Sequence, residues 1–396
     1  MDIKIARLLV LLLCFSAIGC KSKANSSNTP EKIRVGAEAM AKYLPLLEDK
    51  RVGLVVNHTS LIGKTHLLDT LLSHNVDVQI IFAPEHGFRG EADAGAHIDD
   101  SKDSKTGIPI VSLYGSNKKP SKDQLANIDI FVFDIQDVGV RFYTYISTLH
   151  LVIEAAADNN IPVIVLDRPN PNGHLVAGPV LEPEFESFVG MNPLPVVYGL
   201  SIGELATMIN GESWANESLV DLTVILCENY SHKSRYDLPV KPSPNLPNLQ
   251  SILLYPSICL FEPTQISVGR GTDTQFQVIG GPDKNLGSYV FIPEDKSGAQ
   301  NPVNEGIKCY GEDLTRIDAQ DLGFDLSYLF NFYRNFEDKE AFFTNGRFFN
   351  LLAGNAWIQE DLKAGKAYAE VKVKWQQDLE SFKELRKNYL LYPDFE

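Results

Sequence analysis

Apolar residues fall into two alternating patterns along the chain. Short runs rich in Val, Ile and Phe occur at 51–57 (RVGLVVN), 76–83 (VDVQIIFA), 108–113 (IPIVSL), 128–134 (IDIFVFD) and 161–167 (IPVIVLD). Several are continuously apolar rather than alternating, the pattern of strands covered on both faces of a parallel sheet. Between them, segments near 36–46, 64–75, 143–159 and 202–211 have helical spacing. Strands alternating with helices predict βαβ units wound right-handed into a doubly wound sheet. This α/β domain is expected over residues 34–238.

The pattern then changes. Pro239, Pro242, Pro244, Pro247, Pro256 and Pro263 crowd one stretch. Proline fixes φ and removes a donor, so 239–263 reads as a rigid extended connection. Beyond it, 324–335 and 367–389 read as helices, the second long and amphipathic, with less definite strands. A smaller α/β domain is expected over 239–396, with a cleft between the two.

The first twenty residues follow neither pattern. Lys4 and Arg7 precede an apolar run from Leu8 to Gly19, too short to cross a hydrocarbon layer of ~30 Å as a helix. Small residues then precede Cys20, as in a secretory signal peptide. Ala17-Ile18-Gly19-Cys20 also resembles a bacterial lipobox, in which the cysteine is lipidated. The polar stretch 21–33 reads as a flexible tether. The expected location is exported, as a periplasmic or cell-envelope lipoprotein held at Cys20, with a plain cleaved leader as the alternative.

Charge narrows the partners. The 396 residues carry 36 Lys and Arg against 51 Asp and Glu, a net −15. That argues against nucleic acid and against an electrostatic grip on anionic lipid, leaving the N-terminal lipid as the membrane contact. Cys227, Cys259 and Cys309 permit one disulfide at most, which excludes a disulfide scaffold.

Ligands of open α/β sheets sit outside the carboxyl ends of the strands. Asn57 follows the first predicted strand. Pro84-Glu85-His86-Gly87-Phe88-Arg89-Gly90 follows the second. Asp134-Ile135-Gln136-Asp137 leads on to Arg141, Tyr143 and Tyr145, and Asp167-Arg168-Pro169-Asn170 follows the fifth run. Polar loops converging on one rim indicate a polar ligand. Arginines offer forks for a carboxylate or phosphate, and tyrosines offer flat faces with a polar tip. Together with carboxylates they suit a sugar bearing an acidic group. Paired carboxylates also serve glycosidic cleavage, one protonating the leaving oxygen while the other attacks or activates water. Farther on, Glu262 and Arg270 lie in a glycine-flanked polar block that would form a second wall. Structural roles stand beside these: Asp134 and Asp167 as turn caps, each arginine paired with a nearby acid.

Rival motifs are weaker. Gly63-Lys64-Thr65 ends like a phosphate-binding loop, but His58 stands where the first glycine is required. No dinucleotide fingerprint follows a strand, and scattered histidines give no metal motif, so neither a dinucleotide nor a metal is expected. Gly199-Leu200-Ser201-Ile202-Gly203 matches a nucleophile elbow, which would make a serine esterase. Ser201-Ile202-Gly203-Glu204 also matches a capping box, which accounts for both Ser201 and Glu204.

The motifs as a set resemble the bacterial exo-β-N-acetylmuramidase family. The resemblance rests on Pro84-Glu85-His86-Gly87, on the run from Asp134 to Tyr145, and on Leu166-Asp167-Arg168-Pro169-Asn170-Pro171. Ser243-Pro244-Asn245, Tyr255-Pro256, Gly269-Arg270-Gly271-Thr272 and Tyr389-Leu390-Leu391-Tyr392 extend it over roughly 34 to the C-terminus. It implies a Rossmann-like domain joined to a smaller α/β domain, no cofactor, and release of N-acetylmuramic acid from the non-reducing end of peptidoglycan fragments. The muramyl carboxylate would explain the arginines. Glu262-Pro263-Thr264-Gln265, Val268, Tyr198-Gly199 and Asp273-Thr274-Gln275-Phe276 depart from the family's usual residues, so the second wall is the altered one.

On this reading Glu85 is the general acid, oriented by His86, and Asp137 is the second carboxylate. Arg89, Arg141 and Arg168 bind the acidic sugar, assisted by Asn57, Gln136, Tyr143, Asp167 and Asn170, while Glu262 and Arg270 close the site. A lipid-anchored protein that binds muramyl glycans without cleaving them is the competing reading.

Overall fold

The continuous apolar runs become the inner strands of one seven-stranded sheet. The computed structural model describes residues 31–88 and 101–395, so the expectations for residues 1–30, Cys20 included, and for Arg89 lie outside the described residues. Six strands are parallel: β1 Arg51–Val56, β2 Asp77–Ala83, β4 Pro109–Ser112, β5 Ile130–Asp134, β6 Val163–Leu166 and β9 Leu222–Ile225. The short β3, Ser101–Lys102, pairs antiparallel at the edge, and the spatial order is β9-β6-β5-β1-β2-β4-β3. The order reverses at β1, which pairs with β5 on one side and β2 on the other. Such a switch point opens a crevice beyond the strand ends.

Alternate side chains explain why both faces are apolar. Val55, Phe131, Phe133, Val163 and Val165 enter one core, while Val52, Leu54, Val56, Val132, Ile164 and Leu166 enter the other. Helices α2, Tyr145–Asn159, and α3, Ile202–Gly211, pack on the first face. Helix α1, Leu67–Ser73, covers the second.

A hairpin of β7, Ala177–Val180, and β8, Pro195–Val197, leads from the sheet toward the C-terminal part. That part holds an antiparallel sheet of β10 Val278–Gly281, β11 Tyr289–Phe291 and β12 Cys309–Asp313, with β12 central. Helices α4 Leu249–Ile258, α5 Ser327–Asn335, α6 Gly346–Ala353 and α7 Gln376–Arg386 complete this part, with α7 packed on β7. The larger core runs without a break from the sheet face into this region, and residues 33–396 form one compact unit.

Four local expectations are corrected. The proline-rich stretch is not wholly extended: Asn248 and Ser251 form a capping box that starts α4, and Pro256 lies inside the helix. Proline removes the bond that would reach Ile252 O, and Asn172 Nδ2 donates to that carbonyl at 3.4 Å. The segment 36–46 is a chain of short turns, with Met40–Tyr43 its one α-helical piece. The helix expected over 64–75 starts late: Leu61–Ile62 pairs with Thr65–His66 around Gly63 at φ 62, and α1 begins at Leu67. The C-terminal helix breaks after Lys372, and Trp375 at the break stacks on Trp357 at 6.1 Å. Among the described residues, Cys227, Cys259 and Cys309 are free and buried, and no helix is long and apolar enough to cross a membrane.

Candidate active site

A cavity of about 450 Å³ opens beyond the carboxyl ends of β2, β4 and β5. Glu85, His86, Tyr114, Tyr143, Thr144 and Tyr145 form its sheet-side wall. Glu85 sits in a sharp turn after β2. Gly87 N–H donates to Pro84 O at 2.9 Å, and His86 and Gly87 take φ of 69° and 75°. A non-glycine residue in this left-handed region is strained, and such strain clusters at functional sites.

Two hydroxyls hold the Glu85 carboxyl. Thr144 Oγ1 donates to Glu85 Oε2 at 2.7 Å, and the Tyr114 hydroxyl hydrogen-bonds the same carboxyl. Burial and then the Glu85 charge raise the Tyr114 pKa, so this phenol stays protonated. Thr144 and Tyr114 thus hold the carboxyl, and His86 lines the cavity beside it.

The opposite wall comes from the C-terminal part. Glu262 and Arg270 line it, joined by Arg270 Nε on Glu262 Oε1 at 2.5 Å. The guanidinium lies 5.2 Å from the Phe276 ring centroid. Neither Nη nitrogen of Arg270 has a hydrogen bond to protein among the described residues. Ser243, Asn245 and Tyr255 complete this side. Among the described residues the cavity therefore has two carboxylates, one arginine and several aromatic rings, all suited to a sugar.

Other residues expected at the site stand behind its walls. Asp137 is buried off the cavity; its Oδ2 accepts from Gly139 N at 2.7 Å and from the Tyr198 hydroxyl. Burial pushes its carboxyl up to about 7, against the pull of those two donors. Arg141 is fully buried, and its Nη groups donate to the carbonyls of Pro179, Leu194, Leu352 and Ala353 at 2.8–3.0 Å. It clamps the β7–β8 hairpin to the end of α6, and no sugar reaches it. Arg168 is spent on Asp134, with Nε on Oδ1 at 2.5 Å and Nη2 on Oδ2 at 2.9 Å.

The amides and Asp167 are likewise structural. Asp167 takes the Gly203 N–H and the hydroxyls of Ser201 and Tyr392, and burial raises its pKa to about 6. Asn57 Oδ1 accepts from Thr59 N–H and its hydroxyl. Gln136 Nε2 donates to Asp137 O and Pro169 O, both at 2.8 Å. Asn170 Nδ2 donates to Leu200 O, and its amide fills the space that a Cβ on Gly139, φ 77, would need. Ser201 is the helix cap: its oxygen accepts from Glu204 N–H at 3.1 Å and its hydroxyl donates to Asp167. The Ser201 hydroxyl is thus given to a carboxylate and meets no histidine among the described residues, so the serine esterase reading has no base.

Family models for the exo-beta-N-acetylmuramidase NamZ match this chain, the N-terminal model over 52–250 and the C-terminal model over 253–392. The chain belongs to this family. The peptidoglycan beta-N-acetylmuramidase NamZ of Bacillus subtilis (strain 168) is 38% identical over 396 aligned residues, covering 94% of each chain. Two crystal structures of DUF1343 family proteins from Bacteroides fragilis NCTC 9343 share the fold. They have TM-scores of 0.85 and 0.78 and identities of 44% and 30%, covering 92% and 91% of this chain and 99% of each of theirs.

Within this muramidase family member, the wall also uses residues that sequence reasoning passed over. Tyr114 directly follows a predicted strand, so the strand-end rule applied there would have found it. Phe188 and the 298–303 loop carry no such signal; the fold alone brings them to the cavity. Among the described residues no group of three or more His, Cys, Asp or Glu could hold a metal ion.

Proposed function

We propose that this chain is an exo-acting glycoside hydrolase that releases N-acetylmuramic acid from the non-reducing end of peptidoglycan fragments, with Glu85 as its general acid. The reading rests on one observation above all. A carboxyl held by Thr144 and Tyr114 lines a cavity that also presents a second carboxylate, an arginine and aromatic rings, in a chain of the muramidase family.

Glu85 gives its proton to the glycosidic oxygen as the bond to C1 breaks, and the bonding pair stays with that oxygen. Glu262 is the second carboxylate facing this space and balances positive charge at C1. Water adds its hydroxyl to C1, and its remaining proton restores Glu85. Arg270 takes the lactyl carboxylate through its two Nη groups, the bidentate match that guanidinium offers. The leader at 1–20, with its lipobox-like end at Cys20, supports export and attachment to the cell envelope by lipid.

Incubation with a muramyl-terminated oligosaccharide tests the assignment. The wild type is expected to liberate free N-acetylmuramic acid, and Glu85→Gln is expected to liberate almost none. No release by the wild type, or full activity in the variant, overturns it.

A further inference from the structure

A second groove adjoins the catalytic cavity. It measures about 710 Å³, against about 450 Å³ for the catalytic cavity, and Phe188 lines both. Its other walls include Lys118, His150, Ser187, Met191 and Trp214. Phe188 is firmly placed. The Ser147 hydroxyl donates to Phe188 O at 2.7 Å, and Ser187 and Gly190 exchange two backbone hydrogen bonds at 2.9 Å across it. The ring meets Tyr114 edge-on at 6.0 Å, and Lys118 Nζ stands 4.6 Å from its centroid.

The direction of the chemistry decides what this groove receives. A general acid must stand beside the oxygen that leaves, so the departing sugar lies on the acid's side of the cavity. The Tyr114 ring carries the hydroxyl that hydrogen-bonds the acid, and it meets the Phe188 ring edge-on. Past Phe188 the chain meets the second groove. We propose that this groove binds the leaving-group side of the substrate: N-acetylated sugar units, carrying carboxylates, that extend toward the reducing end of the glycan.

The lining fits that chemistry. Phe188 and Trp214 provide two aromatic platforms for the apolar faces of sugar rings. Lys118 supplies positive charge for a carboxylate, whereas the neighbouring Lys119 is held by Glu154 and Asp158. Glu186 is the acidic residue on the rim. His150 Nδ1 is engaged by Asn192 Oδ1 at 2.8 Å, and burial lowers its pKa, so it adds no charge at neutral pH.

The inference rests on Glu85 as the acid, and two substrates separate the two ideas. An aryl β-N-acetylmuramide has no sugar to place in the groove; a tetrasaccharide ending in N-acetylmuramic acid has three. Trp214→Ala and Lys118→Glu are expected to keep kcat/KM for the aryl substrate within about twofold of wild type. Each is expected to raise KM for the tetrasaccharide roughly tenfold, with little change in kcat. Intact aryl turnover also reports that each variant is folded. An unchanged tetrasaccharide KM, or equal shifts on both substrates, overturns the proposal. If the wild type cleaves neither substrate, the acid assignment fails by itself. Calorimetric binding of the tetrasaccharide then decides the groove, and an unaltered Kd in both variants sinks it.

Discussion

The Thr144 hydroxyl donates to Glu85 Oε2 at 2.7 Å, joining residues that follow β5 and β2 on opposite sides of β1. The bond spans the switch point and fixes the carboxyl on the cavity wall. Glu85→Gln keeps the shape but removes the proton donor. On muramyl oligosaccharides kcat is expected to fall about 10²–10⁴-fold, with KM and Tm near wild type. On an aryl muramide the loss is expected to be much smaller, because a good leaving group needs little protonation. Thr144→Val, which removes the hydroxyl, is expected to lower kcat roughly tenfold through misplacement of the carboxyl. Equal losses on both substrates for Glu85→Gln would contradict the acid role.

Asp137 gives a prediction about pH rather than turnover. Burial raises its carboxyl from 3.8 to about 7 in the folded protein. Between those values the folded state holds a proton that the unfolded state has released. Its contribution to stability therefore falls as pH rises from about 4 to about 7, and the full cost persists above that. Asp137→Asn keeps an acceptor for Gly139 and Tyr198 and carries no charge. It is expected to match wild type near pH 4 and to melt several degrees higher at pH 8. Activity is expected to survive, since the side chain lies off the cavity. Melting curves across pH and a turnover assay check both points; a difference independent of pH would refute the first.

The two buried arginines act through the fold. Arg141 serves four carbonyls from two elements, and Arg168 neutralises Asp134. Arg141→Met leaves those carbonyls without their donor and is expected to cost roughly 3 kcal/mol or more. Arg168→Ala strands a buried carboxylate and is expected to cost roughly 3–5 kcal/mol. Replacing Asp134 as well is expected to recover part of that loss. Urea unfolding gives these values, and KM of the folded fraction is expected to stay near wild type. A raised KM with an unchanged midpoint would instead place the arginine on the sugar.

Much of this organisation was legible in the sequence, for a physical reason. Strands covered on both faces must be apolar throughout, so the five inner runs stood out within a residue or two. The sixth parallel strand, Leu222–Ile225, lies at the sheet edge and is largely half-buried, and it showed no such pattern. The strand-end rule found Glu85, His86 and Tyr143 on the cavity wall, and the polar block found Glu262 and Arg270. It failed for Arg141, Arg168, Asp167 and Asn170. A polar residue at a strand end can face the crevice or turn back to satisfy buried backbone, and only packing distinguishes the two. Ser201 and Glu204 were read correctly as a cap because a capping box is local, set by spacing within one turn.

Arg270 is the one candidate arginine that the described residues place on the cavity wall, and it predicts how the enzyme tells muramic acid from glucosamine. The two sugars differ by the lactyl carboxylate, so a guanidinium that reads that group must discriminate between them. A charge-assisted hydrogen bond contributes about 1.5–3 kcal/mol, or roughly 10–100-fold in kcat/KM. Removing Arg270 alone would leave Glu262 without its partner at 2.5 Å, and the unpaired carboxylate would itself repel the substrate. The informative variant is therefore Arg270→Met with Glu262→Gln, which removes both charges together. Its kcat/KM for an aryl muramide is expected to drop by that factor beyond any loss from Glu262→Gln alone. Its kcat/KM for the matching aryl N-acetylglucosaminide is expected to show no such additional drop. The ratio of the two substrates cancels any general damage to the site, including loss of the second carboxylate. A ratio that stays at the wild-type value would move lactyl recognition away from Arg270.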